Sequence, residues 1–156
     1  MQVTLRGGTT EQKRYAKSIA LFAGEKLMSK RLFNKLELRI QLIPNLIKKE
    51  GIFGDCIWED EEDWPKEFTM RVDTSPKLRT MLETVAHEMV HVKQYARNEL
   101  RELTSQKRHR FRGEYYDHDM DYYDEPWEIE AHGREVGLFV RWAEKNKLSK
   151  QKWTQV

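Results

Sequence analysis

Hydrophobic residues recur with two different periods along the chain, and each period predicts one type of element. Apolar residues three or four positions apart predict amphipathic helices, whereas the strict alternation over residues 35–42 predicts a strand with one buried face. The predicted helices span residues 9–31, 75 to Leu100 or Leu103, and 126–146, and the predicted strands span 35–42, 52–58 and 67–73. This mixture predicts an α+β fold with a small three-stranded sheet.

Capping residues predict where two of the helices begin. Thr9 and Gln12 have the spacing of a capping box, in which each side chain bonds the other residue's backbone N–H. Ser75 followed by Pro76 is typical of an N-cap and a first helical residue. The basic segment 147–156 follows the last helix and is expected to be loose.

The middle of the chain predicts a hairpin and a longer connection. The strands 52–58 and 67–73 are expected to pair around the acidic segment 59–63. Residues 104–124 are polar and predict a connection that contains one short strand near 111–116.

Composition narrows the class of protein. The 156 residues suit one domain (core 9–146), and 38% hydrophobic and 11% aromatic residues are enough for a packed core. The lone Cys56 excludes an intrachain disulfide and a cysteine-based zinc finger. The first eight residues lack an apolar segment and no stretch is long enough to span a bilayer, so we expect a cytoplasmic protein without membrane contact.

The charge is nearly balanced, at +2 from 28 basic and 26 acidic residues. An obligate nucleic-acid binder is expected to be more basic, so this balance disfavours that function. The basic segment 107–112 keeps a nucleic-acid-associated protein as an alternative, since clustered lysines and arginines bind phosphates.

The candidate chemistry lies in the second predicted helix, which reads His87-Glu88-Met89-Val90-His91, an H-E-x-x-H motif. Residues four apart lie one above the other on a helix, so His87 and His91 can bind one Zn²⁺ from the same side. Glu88 is rotated by about 100° around the helix axis and would reach a water beside the metal as a general base.

A catalytic zinc site needs a third protein ligand and an open fourth position. Glu128, in the first turn of the last helix, is the favoured third ligand, and Glu130 is the second choice. His132 lies one turn further and would brace Glu128 or His87. The apolar side of the same helix is expected to consist of Ile129, Val136, Phe139 and Val140.

The strings HEMVHVKQYARNEL and DYYDEPWEIEAHGRE resemble zinc metallopeptidases of the zincin superfamily that use a glutamate ligand, and small phage-encoded proteins described as SprT-like. The resemblance covers residues 67–140. It implies a minimal zincin-like fold with His87, His91 and Glu128 as zinc ligands and Glu88 as general base. The chain departs from the family at Lys93, where an apolar residue is usual, and SprT-type proteases use a third histidine instead of a glutamate.

The resemblance also implies how a peptide substrate would bind. In zincins an extended peptide pairs with the edge strand beside the active-site helix, for which we expect residues 67–73. A hydrogen-bond donor for the oxyanion is expected in the connection before Glu128. The candidates are Tyr115, Tyr116, His118, Tyr122 and Tyr123.

Two other interpretations stay open. Asp117, Asp119 and Asp121, with Glu128 at the twelfth position, imitate a calcium loop, although Tyr122 occupies the position that requires glycine. The second interpretation is a domain that binds a metal without catalysis, but a purely structural metal site would not need Glu88. The favoured function is zinc-dependent hydrolysis of a peptide or protein substrate.

Overall fold

The computed structural model describes residues 1–60 and 63–156, so Glu61 and Glu62 of the predicted acidic loop lie outside the described residues. The described residues form five α-helices and two small sheets, which confirms the predicted α+β class. The elements are β1 (Gln2–Gly7), α1 (Thr10–Leu27), α2 (Lys30–Phe33), β2 (Glu37–Ile43), α3 (Leu46–Glu50), β3 (Gly54–Trp58), β4 (Glu67–Asp73), α4 (Leu78–Ala96), β5 (Leu100–Leu103), β6 (Arg108–Phe111), β7 (Glu114–Asp117) and α5 (Pro126–Lys145). None of these helices combines the length and the apolar character that crossing a bilayer requires.

The larger sheet has four strands in the order β1-β2-β4-β3, where three were predicted. β1 is the additional strand and pairs in parallel with β2. Its sequence alternates as the other strands do, with Val3 buried and Leu5 partly buried between exposed neighbours. The pattern is too short to predict a strand by itself, and the segment forms one because it pairs with β2.

The prediction that residues 67–73 form the edge strand is wrong. β4 lies inside the sheet, between β2 in parallel and β3 in antiparallel orientation. Its sequence reflects this position, since Phe68, Met70 and Val72 are fully buried. The predicted β3–β4 hairpin is confirmed, and β3 is the edge strand on this side.

The main hydrophobic core lies between one face of this sheet and the helices α1 and α4. Leu38 and Ile40 of β2 and Met70 of β4 point into it, together with Ile19 of α1 and Val85 of α4. α5 packs along α4 and completes the core with Phe139 and Trp142. The core thus holds α4 rigidly between the sheet and α5.

The smaller sheet replaces the predicted extension of α4. The helix ends at Ala96 because Asn98 adopts a left-handed conformation (φ 53°), which turns the chain into β5. The single strand predicted near 111–116 is a hairpin of β6 and β7. Its turn is formed by Arg112 and Gly113, both with positive φ, as two-residue hairpin loops require.

Two helix starts were predicted from capping residues, and one is confirmed. Thr9 and Gln12 form both hydrogen bonds of the capping box at α1. α4 begins later than predicted, at Leu78, because the Ser75 hydroxyl donates to the Asp73 carboxylate (2.7 Å) instead of capping the helix.

The predicted apolar side of α5 is wrong except for Phe139. Ile129, Val136 and Val140 are exposed, at 58%, 46% and 39% of their surface. The helix buries its larger aromatic and small residues instead, namely Trp127, Ala131, Leu138, Phe139, Trp142 and Ala143. The segment after α5 is not loose, because the Trp153 ring stacks on Tyr15 and Thr154 is buried.

Candidate metal centre

The two motif histidines lie side by side in the middle of α4, the most buried helix of the chain. Their side chains are only 10% and 9% exposed, and the Nε2 atoms of His87 and His91 are 3.2 Å apart. The i, i+4 spacing on a helix produces this arrangement. The structure thus brings both predicted ligands together.

Glu128 completes a group of three donor atoms. It lies in the first turn of α5, which packs along α4. Its Oε2 is 3.1 Å from His87 Nε2, and its Oε1 is 3.2 Å from His91 Nε2. Glu130, the second choice as ligand, points elsewhere, since its carboxylate binds Lys93 Nζ at 2.8 Å.

Hydrogen bonds on the other ring nitrogens decide which atoms face the centre. His87 Nδ1 lies 2.8 Å from the Glu135 carboxylate, and His91 Nδ1 lies 2.8 Å from Gln94 Oε1. The Gln94 amide nitrogen donates to the Trp127 carbonyl, which fixes the orientation of that amide. Both Nδ1 atoms therefore carry a proton, and both Nε2 atoms face Glu128, where each can hold either a proton or a metal ion.

Three acceptors that converge in a buried place repel one another unless positive charge lies between them. Burial lowers the pKa of His87, but its hydrogen bonds with Glu128 and Glu135 raise it to about 10. Burial raises the pKa of Glu128, but its bonds with His87 and His91 hold it well below the usual range. The site thus favours positive charge, which either a proton or a metal ion can supply.

The three donors fit zinc in kind and in spacing. Two imidazoles and one carboxylate form a common set of ligands in catalytic zinc sites. Tetrahedral bonds of 2.0–2.1 Å separate neighbouring donors by about 3.3 Å. The observed separations of 3.1–3.2 Å are close to this value.

Glu88 lies beside this group without joining it. The residue is 5% exposed and lines a cleft of about 690 Å³ together with His87, His91 and Glu128. Burial raises the pKa of the Glu88 carboxyl, which makes its carboxylate a stronger base. A carboxylate in this position can accept a proton from a molecule bound in the cleft.

Tyr122 is the tyrosine of the connection that contacts the ligand group. Its hydroxyl donates to Glu128 Oε2 at 2.7 Å, and His132 Nε2 lies 3.0 Å from the Tyr122 hydroxyl oxygen. Burial and the bond with Glu128 raise the pKa of Tyr122, so the hydroxyl keeps its proton. His132 also packs its ring 4.5 Å from that of His87, so it contacts His87 directly and Glu128 through Tyr122.

The other predicted donors are placed differently. Tyr123 lines the cleft but is 77% exposed, and Tyr115 is exposed on β7. Tyr116 packs against the Trp127 ring outside the ligand group. His118 lies beside His109 at the end of the smaller sheet.

A second set of ligand atoms shares one histidine with the first. His87, His132 and Glu135 each offer an atom within 4.8 Å of the others. His132 and Glu135 are more exposed, at 43% and 23%, whereas the Glu128 side chain is 13% exposed. In the deeper set both Nε2 atoms face the Glu128 carboxylate, whereas His87 and His132 both turn Nδ1 towards Glu135, at 2.8 and 3.3 Å.

Two residues of this network escaped the sequence interpretation as bonding partners, Gln94 and Glu135. Their positions in the sequence could have indicated them, since Gln94 lies three residues after His91 and Glu135 lies two turns after Glu128. Residues at these spacings share a helix face. Helical spacing alone cannot show which face of α5 meets α4.

The alternative interpretations find less support. Asp117, Asp119 and Asp121 are exposed, and the Glu128 oxygens face the histidines rather than a calcium loop. In the basic segment, Arg108 lies 3.7 Å from the Asp117 carboxylate, and Arg112 donates to Glu130. These arginines are therefore already paired within the chain.

Comparison with known proteins identifies no relative. No family model, no curated protein and no solved structure matches the chain. The function is therefore inferred from the residues and geometry of the site.

Proposed function

We propose that the protein is a zinc-dependent peptidase with His87, His91 and Glu128 as its metal ligands. We call these three residues the cleft site. The observation that carries the proposal is their convergence, with both histidine Nδ1 atoms occupied by other partners and a buried glutamate beside them. A purely structural metal site would not need Glu88.

Bound zinc would supply Lewis acidity, which polarises a carbonyl and makes a water acidic near neutral pH. Glu88 accepts the proton of the attacking water at its carboxylate and then delivers it to the leaving amine. The Tyr122 hydroxyl, which donates to Glu128 Oε2 at 2.7 Å, would turn its proton to the developing oxyanion.

The edge strand β3 supports an extended peptide as the substrate. It pairs with β4 on one side only, and Gly54, Asp55 and Cys56 line the cleft. Main-chain groups on a free strand edge bind an extended peptide by adding it to the sheet. The substrate backbone would then pass directly over Glu88.

The test is the variant Glu88→Gln, which keeps the shape of the side chain and removes its basicity. We expect it to retain zinc and to lose about 10²–10⁴-fold in peptide hydrolysis. Zinc content and cleavage of a mixed peptide library, followed by mass spectrometry, measure both properties. Glu25→Gln, an exposed glutamate of α1, is the matched control. Full activity in Glu88→Gln, or no cleavage by the zinc-loaded protein, would contradict the proposal.

A further inference from the structure

A second group of metal-binding side chains lies on the smaller sheet. Glu102 of β5 and His109 of β6 are cross-strand partners, and His118 follows directly after β7. One ligand atom from each lies within 4.8 Å of the other two, and the two imidazole rings are 4.4 Å apart. Strand register therefore gathers two nitrogen donors and one oxygen donor at one place.

The hydrogen bond of His118 leaves one ring nitrogen available. Its Nε2 lies 2.9 Å from the backbone carbonyl oxygen of Arg108. A carbonyl only accepts, so Nε2 carries the proton and Nδ1 carries the lone pair. Histidines that bind metals usually donate their other N–H to a carbonyl or carboxylate in this way.

His109 has a polar atom without a partner. Its Nδ1 is, among the described residues, the one buried side-chain nitrogen or oxygen that lacks a hydrogen bond. The Trp127 ring packs 4.7 Å away and shields the imidazole from solvent. An unpaired buried polar group costs about 1–3 kcal/mol, so a ligand beside this ring would be stabilising.

We propose that Glu102, His109 and His118 form a second zinc site, which we call the sheet site. Neutral imidazoles with one carboxylate suit zinc, whereas calcium and magnesium prefer oxygen ligands alone. The ion would join β5, β6 and the end of β7. It would also fix His109 and, through ring packing, Trp127, both of which line the cleft.

The test uses a background in which the cleft site is removed, His87→Ala/His91→Ala, so its result does not depend on the proposed function. We expect this variant to bind one equivalent of Zn²⁺ in competition with a chromophoric chelator. Adding His118→Ala should lower the affinity more than 10-fold, because it removes a ligand. Glu114→Gln, an exposed glutamate of the same sheet, is the control and should change nothing. No zinc binding by a folded background variant would overturn the proposal.

The intact protein provides a second measurement if the background variant does not fold. The wild type should bind two equivalents of zinc, and His118→Ala alone should bind one while keeping its circular dichroism. Co²⁺ added to the wild type should then give two separable absorption bands, of which one disappears in His118→Ala. A His118→Ala variant that binds as many equivalents of zinc as the wild type would refute the sheet site, whatever the cleft site binds.

Discussion

The cleft site and the sheet site use similar ligands but are built in different ways. In the cleft site the ligands lie on two long helices, and each histidine is held by a second hydrogen bond, to Glu135 or Gln94. In the sheet site the ligands come from short neighbouring strands and a loop, and His109 Nδ1 has no such partner. We therefore expect the cleft site to be the more rigid and the more selective of the two.

The two regions are joined by one partly buried carboxylate. Glu130 of α5 binds Lys93 of α4 and Arg112 in the turn of the β6–β7 hairpin. Lys93 is 3% exposed and also binds Glu99, which precedes β5. Three changes therefore test the comparison separately. The first removes the cation of this ion cluster, the second removes a hydrogen bond that orients a metal ligand, and the third lowers the pH.

The largest effect is expected for Lys93→Met. Removing this cation leaves the partly buried Glu99 and Glu130 with more exposed partners such as Arg112, which costs about 3 kcal/mol in the free energy of unfolding. Urea unfolding of the metal-free protein measures the change. Lys17→Met, at an exposed position of α1, is the control. A loss below about 1 kcal/mol would show that the cluster does not hold the two regions together.

An intermediate effect is expected for Glu135→Leu. This variant removes the acceptor that orients His87, and losing such a partner typically lowers metal affinity 10–100-fold. Zinc competition measures the cleft site, and the sheet site should keep its affinity. Glu144→Leu, at an exposed position of the same helix, is the control.

The result for Glu135→Leu also separates the two possible ligand sets around His87. A complete loss of zinc from the cleft would mean that Glu135 is itself a ligand, together with His132. A moderate loss supports the set that contains Glu128. An unchanged affinity would show that the bond to His87 does not brace the site.

The smallest effect is expected in the pH dependence of stability. Burial raises the pKa of Glu130, but its bonds with Lys93 and Gln94 outweigh burial and lower it to about 2. Because this folded value lies below the usual 4.5, the stabilisation is present above pH 4.5 and is lost as the pH falls towards about 2. In Glu130→Gln, the free energy of unfolding measured with urea should change less with pH across this window. An unchanged dependence on pH would contradict the assignment.

The comparison also shows which features a single sequence can predict. His87, Glu88 and His91 are three residues within about one turn of the same helix, so their proximity follows from helix geometry alone. Glu128 could be chosen over Glu130 because helical rotation places the two carboxylates in different directions, and Glu130 indeed binds Lys93 instead. Local periodicity thus predicts the parts of the cleft site that lie within one element.

Features that depend on pairing between distant segments were missed. The sheet site needs the register of β5 on β6, and the alternation in residues 104–124 is too short to predict it. The interior position of β4 depends on its pairing with β2 on one side and with β3 on the other. Lys93 looked misplaced among apolar residues, but its partners Glu99 and Glu130 lie on other elements. Each of these features depends on tertiary contacts, which local sequence patterns do not predict.

Diffraction at the zinc absorption edge, from crystals grown with zinc, tests the central claim most directly. We predict an anomalous peak in the cleft about 2.0–2.1 Å from His87 Nε2 and His91 Nε2, with a Glu128 oxygen at a similar distance. A cleft without a peak, or a peak bound by His132 and Glu135 instead of Glu128, would contradict it.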